Sequence, residues 1–277
     1  MIVKIETRIR AFGLLPLLLL LFLCPLHAMA QAGSFIIAQH GTQVGTATVT
    51  FSSNPKGLET TTLVRVAMKG LTYNLSKTEE LSPANHLRHV QLSATVNNSA
   101  VNITAAPEAA QTLINISANG RSSATRLALH AAAVFLPDFD PGAFDTLLAL
   151  AAARNNRDLW AILPKQSGSA AASEVPILLT TYADEQGTLD GKPVEAHHLV
   201  ATIAGARTDL FSGPQDQLLQ AELPQQGFAV IRKGFVLTPP AKAGAPPVAP
   251  PQQAPRPASQ PPQPAAPQAP AAAPVPE

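Results

Sequence analysis

His89-Val90-Gln91-Leu92-Ser93-Ala94-Thr95-Val96-Asn97-Asn98 carries the pattern from which the fold is read. Val90, Leu92, Ala94 and Val96 alternate with His89, Gln91, Ser93 and Thr95. A side-chain period of two puts one face of a strand in a core and the other in water. Asn97-Asn98 then ends the run, because asparagine tolerates the left-handed backbone of a tight turn. Outward from this stretch the alternation recurs. Ala47, Val49 and Phe51 alternate with Thr46, Thr48 and Thr50, Val64, Val66 and Met68 alternate with Arg65 and Lys69, and Ile114 and Ile116 alternate with Asn115 and Ser117. Gly41, Asn54-Pro55-Lys56-Gly57, Gly70 and Asn119-Gly120 fall at the breaks, where turn chemistry is needed. Strands with one apolar face, joined by short turns, describe an antiparallel meander.

One segment departs from that period. After Asp140-Pro141-Gly142, residues Phe144, Leu147, Leu148 and Ala151 fall at the i, i+3, i+4, i+7 spacing of one helix face. Asp140 suits the N-cap, Pro141 the first helical position and Arg154 the negative end of the helix dipole. Strands resume near residues 159–163, 177–182 and 195–204, then 218–223 and 228–237. A Gly/Ser/Ala-rich loop is expected over residues 166–173, and Gly187 and Asp190-Gly191 mark turns. An apolar-faced sheet must bury that face against another element. The expected fold is therefore mainly β, a single domain over residues 31–237. It is a large curved antiparallel sheet, an incomplete barrel, with one short apolar helix packed on it. No internal repeat divides it.

The ends of the chain have their own compositions. Lys4, Arg8 and Arg10 precede an apolar run from Leu14 to Leu26, and Ala28-Met29-Ala30 offers small residues for cleavage. Residues 1–30 are thus expected to be a signal peptide, cut before Gln31. The apolar run is shorter than the ~20 residues that span a bilayer. Cys24, flanked by Leu23 and Pro25, makes a poor lipidation site, and as the only cysteine it leaves the rest of the chain without any disulfide. At the other end, 15 of the 39 residues from Pro239 to Glu277 are proline, so residues 238–277 are expected to be a disordered Pro/Ala/Gln-rich tail. Such a tail could act as a spacer or engage an envelope protein. The protein is expected to be exported, to the periplasm or the extracellular space, with no transmembrane segment after signal cleavage.

Charge excludes some partners. Of 19 basic and 18 acidic residues, Lys4, Arg8, Arg10 and Glu6 lie in the leader, leaving 16 and 17 and a net charge of −1. No basic field remains to hold nucleic acid or an anionic membrane surface. Catalytic motifs are also missing from the sequence. There is no Gly-x-Ser-x-Gly elbow, no phosphate-cradling loop and no HExxH. His86 and His89 on one strand, and the adjacent His197 and His198 on another, point to opposite faces and make no metal set. Asp138, Asp140 and Asp145 cluster at the helix start but lack the spacing of a calcium loop, and capping explains them better. No cofactor is expected. Asn-x-Ser/Thr sequons at Asn74, Asn97, Asn102 and Asn115 read as composition.

The run Asp190-Gly191-Lys192, Thr208-Asp209-Leu210-Phe211, Leu218-Leu219-Gln220-Ala221-Glu222 and Gln226-Gly227-Phe228 resembles the strand–turn–strand segments of bacterial envelope proteins with a large curved sheet. These include the Lol-type lipoprotein carriers and related periplasmic families. That resemblance implies an incomplete barrel whose mouth is closed by helical pieces over an apolar cavity. The long proline-rich tail departs from the short ends of the carriers. The first functional expectation is a non-catalytic binder of a lipid, another apolar small molecule or a protein partner, with Phe144, Leu147, Leu148 and Ala151 lining the cavity. The alternatives are a secreted hydrolase using some of Asp138, Asp140, His130, His197 and His198, and a structural surface protein tethered by its tail.

Overall fold

Wherever the sequence alternates, the backbone is extended. The structure is a computed structural model that describes residues 31–165 and 171–239. The expected signal peptide, the tail beyond Pro239 and residues 166–170 of the expected loop lie outside the described residues. The first half is a meander of eight strands: β1 (Gln31–Gln39), β2 (Thr42–Asn54), β3 (Gly57–Met68), β4 (Leu71–Leu81), β5 (Leu87–Val96), β6 (Ser99–Glu108), β7 (Gln111–Ala118) and β8 (Arg121–Ala128). A short β9 (Ala133–Phe135) leads to helix α1 (Pro141–Arg154) and then to β10 (Leu159–Pro164). The second half contains β11 (Ala172–Thr181), β12 (Glu185–Leu189), β13 (Lys192–Ile203), β14 (Ala206–Ser212), β15 (Leu218–Leu223), β16 (Phe228–Arg232) and β17 (Phe235–Leu237).

The two halves join through β1, which pairs with β2 on one side and β16 on the other. From there the sheet runs through β3 to β8 in one direction and through β15, β14, β13, β11 and β10 to β9 in the other. It is a large sheet that does not close into a barrel. Its outer strands β8 and β9 share no ladder, although the Ala128 N–H reaches Glu174 of β11 at 3.4 Å.

Three details differ from the sequence expectation. The pairing of β9 with β10 is parallel, which a strand–helix–strand crossover through α1 permits. The turn region 184–192 contains a strand, β12, which pairs with β13 and β17. The apolar run 228–237 is two strands, because Lys233-Gly234 turns between them with Gly234 at φ +86°.

Helix α1 lies inside the curve rather than on a surface. Asp140 caps it, accepting from the N–H groups of Gly142 (2.9 Å) and Ala143 (3.2 Å). Asn155 ends it in the left-handed conformation. Ten of its fourteen residues are buried, Asp145 and Thr146 among them, so more than one face of the helix is enclosed. It packs against β2, β3, β9 and β15, and Phe144, Leu147, Leu148 and Ala151 join Phe35, Val64, Leu92, Ile103, Ile114 and Phe135 in one apolar cluster. A smaller cluster of Ala196, Phe211, Leu219 and Phe235 covers the other face of β13–β15 under β12 and β17.

The helix N-terminus comes so close to β3 that only glycine fits at position 142. A Cβ there would stand 2.5 Å from Thr62 Oγ1 and 3.1 Å from Thr60 Cγ2. Gly142→Ala is therefore expected to destabilise the domain by about 1–3 kcal/mol through overpacking. A lowered urea midpoint at unchanged m-value checks it.

Candidate functional site

The side chains that depart most from an ordinary core lie on the two sides of α1. Strand β4 alternates inward through Tyr73, Leu75, Lys77, Glu79 and Leu81, so its phase carries a lysine and a glutamate into the interior. Lys77 and Glu79 are fully buried. Lys77 Nζ lies 2.6 Å from Glu79 Oε2 and 2.6 Å from Asp140 Oδ2, a charge cluster beneath the helix N-cap. The cross-strand neighbours of Glu79 and Lys77 on β3 are Thr60 and Thr62. Their hydroxyls, and Glu79 Oε1, are buried without a hydrogen-bond partner among the described residues. Burial pulls the Lys77 ammonium down, but the charges of Asp140 and Glu79 outweigh it and hold it above its ordinary value. Burial pushes the Glu79 carboxyl up, and the lysine only partly opposes this.

One turn along, α1 turns Asp145, Thr146 and Ala149 toward a cavity of about 320 Å³ at one end of the sheet. Its walls are Phe51, Leu58 and Leu81 from β2–β4, its rim includes Asn85 and Gln217, and Arg232 of β16 reaches into it. Asp145 as a residue is 8 % exposed. Its Oδ1 accepts from the Leu218 N–H at 2.6 Å, while Oδ2 has no hydrogen-bond partner among the described residues. Arg232 is steadied by Nε donating to the Leu218 carbonyl (2.8 Å) and by its stack 5.1 Å over Phe35. Burial pushes the Asp145 carboxyl up to about 6, against the opposing effects of the Leu218 N–H and the Arg232 charge.

That shift fixes a pH dependence. Because the folded pKa of about 6 lies above the ordinary 3.8, the native state holds the proton more tightly than the unfolded chain. Stability is then lost as pH rises from about 4 to about 6, and the penalty is complete above 6. Asp145→Asn keeps the acceptor for Leu218 and removes the buried charge. It is expected to raise stability by about 1–3 kcal/mol at pH 8 and to leave it nearly unchanged at pH 4. Paired urea titrations at the two pH values check this.

Of the residues singled out from the sequence, Asp140 and Asp145 belong to these two places and the others fall elsewhere. Phe144, Leu147, Leu148 and Ala151 are buried in the core cluster, and the cavity is lined from α1 by the intervening Asp145, Thr146 and Ala149. The histidines are dispersed. His130 stacks on Trp160 at 3.8 Å and lies 3.7 Å from Glu174. His197 Nδ1 faces Asp184 at 3.1 Å, and His198 points to the opposite side. There His198 Nε2 is 2.9 Å from Asp209 Oδ1, its ring stacks on Phe211, and Arg207 forks onto Asp209. These three histidines each face a carboxylate other than Asp138 or Asp140, whereas His86 lies 3.3 Å from an Arg154 guanidinium nitrogen. Asp138 is exposed on the loop before the helix, and its carbonyl accepts from the Tyr73 hydroxyl at 3.3 Å. Among the described residues no cluster of three or more His, Cys, Asp or Glu could hold a metal ion.

Lys77, Glu79 and Arg232 carry no motif in the sequence. The signal available was strand phase, which puts Lys77 and Glu79 in register with Leu75 and Leu81. No protein-family model, curated protein or solved structure matches the chain.

Proposed function

We propose that this is an exported, non-catalytic binding protein whose ligand is a small, largely apolar molecule with one polar head, held in the cavity beside Asp145. The observation that carries the reading is Asp145, which borders a cavity walled by Phe51, Leu58 and Leu81 and whose buried Oδ2 has no hydrogen-bond partner among the described residues. A buried polar atom left unpaired costs ~1–3 kcal/mol, which a ligand hydroxyl or amine would relieve. Arg232 adds a cationic donor, so a carboxyl head would also be held, and Phe51, Leu58, Leu81 and Ala149 would cover the apolar body.

Size narrows the class further. A cavity of about 320 Å³ lies at the lower end of the ~300–1,000 Å³ typical of small-molecule sites. It suits one short acyl chain or one ring system rather than a lipid with several chains. The core position of Leu147 and Leu148 supports the same limit, because α1 occupies the space that a larger cavity would need.

Organic extraction of protein purified without detergent tests this reading. A compound of that class is expected at near-stoichiometric amount, and much less of it from an Ala149→Phe variant whose ring would occupy the cavity. Equal amounts from the two proteins, or none from either, would contradict it.

A further inference from the structure

We infer that Lys77 and Asp140 condense to an intramolecular amide, a covalent bond between strand β4 and the N-cap of α1, with Glu79 as the proton carrier. The three groups are arranged for it. Lys77 Nζ is 2.6 Å from Asp140 Oδ2. The carboxyl carbon lies one bond beyond, so the nitrogen is within about 4 Å of the atom it attacks, close to the ~3–3.5 Å of a near-attack arrangement. The other carboxyl oxygen, Oδ1, is held by the N–H groups of Gly142 (2.9 Å) and Ala143 (3.2 Å). Two backbone donors at a helix N-terminus are what stabilises an oxyanion at a tetrahedral carbon. Glu79 Oε2, 2.6 Å from Nζ, completes the set.

The step balances without any added reactant. The ammonium passes one proton to Asp140 Oδ2, leaving a neutral amine and a neutral acid. The nitrogen lone pair forms the C–N bond at the carboxyl carbon, and the developing charge on Oδ1 rests on the Gly142 and Ala143 N–H groups. Glu79 takes a second proton from nitrogen and delivers it to Oδ2, which leaves as water when the C–O bond breaks. One ammonium and one carboxylate become one amide and one water, and Glu79 ends as it began.

The surroundings favour the product. All three side chains are fully buried, and condensation replaces one buried cation and one buried carboxylate, each held at a desolvation penalty, with a neutral amide. The amide keeps Oδ1 as acceptor for the helix cap. The reaction also fits a chain whose only cysteine is Cys24, in which no intrachain disulfide can form.

Intact-mass spectrometry of the purified full-length product tests the bond, with peptide mapping to locate it. The expected mass is one water below that calculated for the same chain without the crosslink, its N-terminus assigned by the peptide map. Trypsin should fail to cut after Lys77 and should release a branched species joining the Lys77 and Asp140 peptides. Glu79→Gln is expected to show the calculated mass of its own uncrosslinked chain, with no water lost. An unmodified wild-type mass, a lost water without the branched peptide, or a crosslink formed equally in Glu79→Gln would each overturn the proposal.

Discussion

Replacing Lys77 with methionine is expected to destabilise the domain by at least about 3–5 kcal/mol, because it strands two buried carboxylates and forfeits the inferred amide to Asp140. Methionine retains most of the apolar stem of lysine, so the loss reports chemistry rather than volume. It leaves Glu79 and Asp140 buried beside the orphaned hydroxyls of Thr60 and Thr62, with no cation to balance them. It also removes the group that ties β4 to the start of α1. The sign is tested by urea unfolding at neutral pH. A second variant, Lys77→Met with Glu79→Leu, takes out one of the stranded carboxyls and is expected to recover part of the loss. A single variant as stable as the parent would mean that the cluster contributes nothing to holding the helix.

The second large effect is expected at Leu147. This side chain is fully buried at the centre of α1, where truncation to alanine removes apolar contacts and leaves a void, a change worth about 2–5 kcal/mol. The same substitution at Leu178, 66 % exposed on β11, is expected to shift stability by less than ~0.5 kcal/mol. The contrast separates two pictures of the helix. If α1 were a lid over an open hollow, Leu147 would already border empty space and its loss would matter little. As part of a filled core, it should rank among the most sensitive positions in the chain.

Much of this architecture was legible. Alternation around Val90, Leu92 and Ala94, and the cap-and-spacing pattern from Asp140 to Ala151, lead to a curved sheet with one helix because both are local regularities. Strand β12 was harder to see. Its Glu185-Gln186-Gly187-Thr188-Leu189 has one apolar residue and takes its extended form from its partners β13 and β17. The break at Gly234 was masked by apolar residues on both sides. The functional features depended on tertiary placement. Asp145 meets the Leu218 N–H across 73 positions of sequence, and Arg232 arrives from β16, late in the sequence. No spacing rule brings such residues together. Lys77 and Glu79 lie between these cases, since strand phase assigns them to the core face and only their polarity argues against it.

Isothermal titration with n-octanol addresses the binding site most directly, because the probe carries one apolar chain and one hydroxyl donor. Wild-type protein, first freed of extractable material, is expected to bind one equivalent saturably, with Ala149→Phe showing no saturable heat while unfolding as cooperatively as the parent. Absence of saturable binding to the wild type, or equal binding to the Ala149→Phe variant, would contradict a ligand site beside Asp145.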